Sequence, residues 1–252
     1  MGHIYNNEFF DYIDEGARRS AKSLIRTVQP WLDTNSVVDM GSGRGVWLAQ
    51  WREAGVEDVL AIDGDYVDRS TLAVPANQFM AADLTRPVKL KRKFDLAQSL
   101  EVGEHLPESA AETLVGSLTG AANRVIFSAA VRGQGGEFHI NEKPLSFWQD
   151  LFAERGYRAF DCVRPHLAND RAVEPWYRYN TVLYANPEGC AGLPEEVLRT
   201  AVTNGDHLED GGGALWRLRK TVVKALPRDT VTWIAQRRAA VLARQARARA
   251  AG

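Results

Sequence analysis

The stretch Val37-Val38-Asp39-Met40-Gly41-Ser42-Gly43-Arg44-Gly45 restricts what this chain can fold into more than any other. A short apolar run ending in alternating glycines reads as a buried parallel strand that must turn sharply into a helix. Without a Cβ, the turn can adopt positive φ and let a ligand approach the peptide closely. The helix that follows offers free N–H groups and its positive dipole end. The spacing is G-x-G-x-G, with Val46 where a dinucleotide fingerprint would place its last glycine.

The rest of the first two thirds alternates strand and helix. Strands are expected at 36–40, 58–63, 79–83, 94–99 and 124–128, and helices at 5–32, 46–54, 110–122 and 144–155. Two late strands, near 158–163 and 181–184, have no obvious helix between them and are expected to pair antiparallel at the sheet edge. Together these give an α/β fold: a Rossmann-like, doubly wound, seven-stranded, mostly parallel sheet with an antiparallel edge strand and a C-terminal helical extension. The carboxyl edge of such a sheet binds ligands. Asp63 closes the second strand, about 20 residues after the glycine turn, where a carboxylate can accept both hydroxyls of a ribose. Asp83 closes the third, within reach of an adenine amino group, and Gln98-Ser99-Leu100-Glu101 ends the fourth.

Taken in order, Asp39-x-Gly41-x-Gly43-x-Gly45, Ile62-Asp63-Gly64-Asp65, Ala82-Asp83-Leu84 and Glu101-Val102-Gly103-Glu104-His105-Leu106 resemble the class I S-adenosylmethionine-dependent methyltransferases over residues 5–186. The resemblance implies that Asp39, Gly41, Gly43 and Gly45 surround the methionine part of the cofactor. Asp63 would take the ribose and Asp83 with Leu84 the adenine, and Gly64 and Leu100 are further cofactor-binding candidates. The implied activity is transfer of the S-adenosylmethionine methyl group by in-line displacement, leaving S-adenosylhomocysteine. A methyl sulfonium is already activated, so alignment and exclusion of water can supply roughly 7–11 kcal/mol of the acceleration. A hydroxyl acceptor also calls for a base, for which His105 and His139 are the candidates. His105 could instead serve only to hydrogen-bond the backbone.

On a helical turn Glu101, Glu104 and His105 would share one face, and with His139 as a fourth ligand they could hold a divalent cation. That run looks like those of ubiquinone O-methyltransferases and of metal-dependent small-RNA 2′-O-methyltransferases. Relatives not expected to bind metal share it too, so no metal is favoured. Gly133-Gln134-Gly135-Gly136, His139-x-Asn141-Glu142, Phe147-Trp148 and Glu174-Pro175-Trp176-Tyr177-Arg178-Tyr179-Asn180 resemble a subgroup associated with polysaccharide, lipid or secondary-metabolite modification. Trp148, Trp176 and Arg178 either form an acceptor pocket that stacks on a sugar or ring, or pack the sheet edge. The acceptor is accordingly expected to be a small molecule or a glycan- or lipid-linked group, modified at oxygen.

Residues 1–190 are expected to form the methyltransferase domain, with an N-terminal lid helix, and 191–252 a basic helical extension. Net charge is −1 overall, yet residues 216–252 carry +9 against −10 for the remainder. Leu215, Leu218, Val222 and Leu226 form an apolar stripe there, and Asp229 can cap a last helix carrying Val231, Ile234, Val241 and Leu242. Such helices suit an anionic membrane surface, a second subunit or plain solvation; no RNA-binding motif accompanies them, and nucleic acid is not expected. Cys162 and Cys190 lack ligand spacing and read as reduced thiols of a cytoplasmic protein, peripheral at most to the membrane's inner face. Two other functions compete. A nicotinamide-dependent sugar-modifying enzyme is weakened by the glycine spacing and by the lack of a Tyr-x-x-x-Lys pair; a non-catalytic membrane or scaffold protein on the same fold would bind no cofactor.

Overall fold

The computed structural model describes residues 7–203, 206–227 and 229–237. Helix α1 (Asn7–Val28) leads into β1 (Ser36–Met40), α2 (Val46–Glu53), β2 (Asp58–Asp63), β3 (Phe79–Ala81) and β4 (Leu96–Leu100). Then come α3 (Ala111–Ala121), β5 (Arg124–Ser128), α4 (Leu145–Ala153), β6 (Arg158–Phe160), α5 (Val163–Leu167), α6 (Pro175–Asn180) and β7 (Val182–Ala185). The turns α7 (Pro187–Cys190) and α8 (Glu195–Leu198) precede α9 (Ala214–Lys224).

The seven strands lie in the order β3-β2-β1-β4-β5-β7-β6. The first five pair in parallel, and β7 runs antiparallel between β5 and β6. Alternation along each strand divides the core into two layers. Val37, Leu96 and Ile126 face α1 and α2, where Leu24, Leu48 and Trp51 are buried. Val38, Ala97, Val125 and Phe127 face α3 and α4, against Leu114, Leu118, Trp148 and Phe152. The Rossmann-like methyltransferase fold expected from the sequence is therefore present, antiparallel edge included.

Two features differ from expectation. The link between β6 and β7 holds α5 and α6, turns too short to show a helical period. Packing also carries the body of the molecule past position 190, since Leu193, Val197 and Leu208 are buried in the two core layers. Helix α9 leaves Leu215, Leu218 and Val222 exposed, as its stripe implied, and residues 229–237 are helical. Val241 and Leu242 lie outside the described residues. No helix among the described residues is long and apolar enough to cross a membrane.

Candidate functional site

Strand order reverses at β1 and β4, and the chain's unusual polar groups gather on the carboxyl side of that point. On the β1 side, Gly41, Gly43 and Gly45 all have positive φ. A Cβ on Gly41 would lie 2.3 Å from the Val102 side chain, so this position also has no room for one. The turn is tied to β2 through Gly41 N–H and Ser42 N–H, which donate to the Ile62 carbonyl at 2.8 and 3.2 Å.

Asp63 then closes the arrangement. Its Oδ2 accepts from Gly43 N–H at 2.6 Å, and its Oδ1 accepts from Gly64 N–H at 2.7 Å and the Tyr66 hydroxyl at 2.5 Å. Burial still raises its pKa, against the opposing pull of those three bonds. Asp39 is buried beside it and accepts from Gln98 Nε2 at 2.9 Å; the amide's Oε1 accepts in turn from Trp51 Nε1 at 2.8 Å. Burial pushes the Asp39 carboxyl up to about 7, with the Gln98 bond opposing and the Asp63 charge adding.

Asp83 stands apart. It is exposed, its Oδ1 accepting from Thr85 N–H at 2.9 Å and Thr85 Oγ1 at 2.6 Å, and these bonds hold its pKa below the usual range. Leu84 and Leu100 are buried in the apolar layers. Gly64 is hemmed in by Tyr66, whose ring would lie 2.1 Å from a Cβ there.

On the β4 side the chain turns through Glu101, a non-glycine residue at φ 57°. A short turn over Gly103–His105 follows, so residues 101–105 are not one helical face. That corrects the four-residue cluster expected from their spacing. Glu101 is held elsewhere, by Gln134 Nε2 at 2.6 Å and Asn180 Nδ2 at 3.3 Å. Glu104, His105 and His139 do converge, with potential ligand atoms all within 4.8 Å of one another.

Loop residues Ile140 and Asn141 donate from their backbone to the Glu104 carbonyl at 2.9 and 3.0 Å, which brings His139 over the turn. His139 Nδ1 bonds Glu142 Oε1 at 2.9 Å, and its Nε2 lies 4.0 Å from Glu104 Oε1. Glu142 is further fixed by Gly133 N–H and Gly135 N–H at 2.7 and 2.8 Å, and these partners keep its pKa low despite burial.

Glu104 is fully buried, and no side chain hydrogen-bonds to either of its carboxylate oxygens. Burial and the neighbouring Glu101 charge raise its pKa well above the usual value. His105 stacks edge-on against His139, 4.9 Å between ring centres, and is hydrogen-bonded to the Phe138 backbone. Burial lowers its pKa to about 3, so it is neutral and a poor base near pH 7. The cluster has the donor set of a divalent-cation site, a carboxylate with two imidazoles, and Glu142 orients one imidazole from behind as such sites require.

Of the aromatic residues nominated for an acceptor pocket, Trp148 is corrected. It is fully buried, packs 4.9 Å from Phe127 and fills the space where Gly103 has no Cβ, so it belongs to the core. Trp176 and Arg178 are half-buried in α6; Arg178 Nη2 donates to the Val173 carbonyl at 3.1 Å. Five contributors had no role assigned from the sequence: Gln98, Gln134, Glu142 and Asn180 stood within its motifs without one, and Tyr66 was not singled out. A recess of about 450 Å³ lined by 29–34 lies at the opposite, amino edge of the sheet and contains none of these groups.

No family model and no curated protein matches the sequence. Solved structures do match. The methyltransferase domain of bacterial CtHen1-C superimposes with a TM-score of 0.50 at 16% identity, over 68% of this chain and 98% of that one. Magnesium protoporphyrin IX methyltransferase (ChlM) from Synechocystis PCC 6803, solved with bound SAM, matches with a TM-score of 0.47 at 18% identity, over 73% of this chain and 86% of that one. The fold is that of the class I methyltransferases. Within it, the glycine turn and Asp63 occupy the β1–β2 side of the switch point, and the Glu104–His105–His139 cluster the β4 side.

Proposed function

We propose that the chain binds S-adenosylmethionine against β1 and β2 and transfers its methyl group to an oxygen of an acceptor held near His139. One observation carries this reading: the glycine turn, with its Asp39 and Asp63 carboxylates, and a hydrogen-bonded His139–Glu142 pair flank the strand switch point, where Gly41 packs against Val102 beside the Gly103–His105 turn. The sulfonium supplies a methyl already primed for displacement. Asp63 would exchange its Tyr66 partner for a ribose hydroxyl, and the Gly41–Gly45 backbone would face the amino-acid part of the cofactor. Asp83, Leu84 and Leu100 are proposed for the adenine side.

Glu142 fixes His139 with Nδ1 as donor, leaving Nε2 to receive the acceptor's hydroxyl proton, and the carboxylate stabilises the imidazolium that results. The acceptor oxygen bonds to the methyl carbon as the carbon–sulfur bond breaks, and that electron pair stays on sulfur. His105, neutral at working pH, packs against the base and positions it.

The buried Glu104 carboxylate, with no side-chain hydrogen-bond partner, favours a second form of the same reaction. Glu104, His105 and His139 would then hold a divalent cation, which would acidify a bound acceptor hydroxyl. Calorimetry distinguishes the readings. Stoichiometric binding of S-adenosylhomocysteine and none of NAD⁺ is expected; the reverse would overturn the assignment. Manganese binding that Glu104→Gln abolishes would select the metal-assisted form.

A further inference from the structure

A cavity of about 340 Å³ lies between the loop bearing His139 and the C-terminal helices, within the size range of small-molecule sites. Its wall is shared. His139, Glu142 and Arg132 come from the loop, and Val223, Lys224 and Leu226 from the end of α9 and the residues after it. The helix is seated closely. Gly133 has φ +80°, and a Cβ on it would lie 2.4 Å from the Lys220 carbonyl oxygen. Val223 and Val231 would be 3.0 and 2.9 Å from a Cβ on Gly135. Arg219 Nη1 donates to the Gln134 carbonyl at 2.5 Å, which locks the helix to the same loop.

The cavity wall carries three cations, Arg132, Lys143 and Lys224, against two carboxylates, Glu108 and Glu142, so it is net positive. Glu142 is turned towards His139 and two backbone amides, and Glu108 is paired with Lys143 at 2.7 Å. Arg132 and Lys224, both exposed, line the cavity, the Lys224 stem lying over Gly133 beside Arg132, with no carboxylate in ion-pair distance of either among the described residues. Two cations lining one cavity with no carboxylate partner of their own match a phosphate group, whose oxygens accept from both.

We propose that this cavity is the acceptor site and that the acceptor carries a phosphate group, gripped by Arg132 and Lys224 so that a nearby hydroxyl meets His139. The inference rests on the methyltransferase reading and adds the acceptor's chemical class. The phosphate can belong to a soluble metabolite or to a lipid headgroup, and the chemistry at the cavity is the same.

The test titrates the full chain with inorganic pyrophosphate at constant ionic strength, with and without saturating S-adenosylhomocysteine. One-to-one binding is expected in both cases, weakened at least tenfold in the Arg132→Ala/Lys224→Ala double variant, whose affinity for S-adenosylhomocysteine is unchanged. Pyrophosphate that fails to bind, that S-adenosylhomocysteine displaces, or that the double variant binds within twofold of the parent would overturn the proposal. Sedimentation with phosphatidylglycerol/phosphatidylcholine vesicles then assigns the source: loss of pelleting in the double variant points to a lipid headgroup, and pyrophosphate binding without pelleting to a soluble phosphate. If S-adenosylhomocysteine itself does not bind while pyrophosphate still depends on Arg132 and Lys224, the methyltransferase reading falls and the assignment of an acceptor falls with it, leaving an anion site alone.

Discussion

Asp63 binds three things at once, the glycine turn, the Gly64 N–H and the Tyr66 hydroxyl, and on the proposed reading trades the last for a ribose. Asp63→Ala is therefore expected to weaken S-adenosylhomocysteine binding by about 1.5–3 kcal/mol through lost charge-assisted bonds, measured by titration. Tyr66→Phe should act the other way, since the ligand no longer displaces a hydroxyl at 2.5 Å; tightening of up to about 1 kcal/mol is expected. Asp39 makes a different prediction. Its folded pKa of about 7 lies above the unfolded 3.8, so the native state holds the extra proton. Its contribution is full below the unfolded value and is lost as pH rises from about 4 to 7. Asp39→Asn should remove that slope, gaining on the parent by on the order of 4 kcal/mol at most across this window, read from urea midpoints at successive pH values. The sequence exposed Asp39 and Asp63 because they end apolar strands. It could not expose Tyr66, nor show that Gln98, which it placed at a strand end, meets Asp39 from 59 residues away.

At the level of elements, periodicity made the long segments legible and failed on the short ones. The run Arg124–Ser128 is strand as expected, whereas α5 and α6 are five and six residues long and show no repeat to read. Glu101 illustrates a second kind of failure. Spacing arguments assume a regular helix, and one left-handed residue at the end of β4 separates Glu101 from the cluster that Glu104 and His105 join. Trp148 is a third: an aromatic side chain near a loop reads as pocket wall, but α4 turns it into the core. Trp148→Ala is expected to cost about 3–5 kcal/mol of stability, visible as a lowered Tm, and to leave the affinity of the remaining folded protein for S-adenosylhomocysteine unchanged. Gly133→Ala tests the seating of α9. Positive φ and the Lys220 carbonyl both oppose a methyl group there, so faster amide exchange across 214–224 is expected.

Across the whole molecule, the opposed charges seen in the sequence become a spatial statement. The acidic body carries the glycine turn and its carboxylates, while the part of the basic segment from Arg219 to Thr232 that is described packs on the loop that bears His139. The exposed Leu215, Leu218 and Val222 beside those cations support a proposed contact with anionic membranes. Vesicle binding, if it uses this surface, should weaken steeply between 50 and 500 mM salt, as roughly a Debye length shrinks from about 14 to 4 Å. The shared wall around Arg132 and Lys224 also has a consequence for how such a catalyst can diversify. On the proposed reading, the donor is held along β1 to β4, whereas part of the recipient's wall comes from the helices after 213. Changes confined to those helices would alter which recipients fit while leaving donor recognition intact.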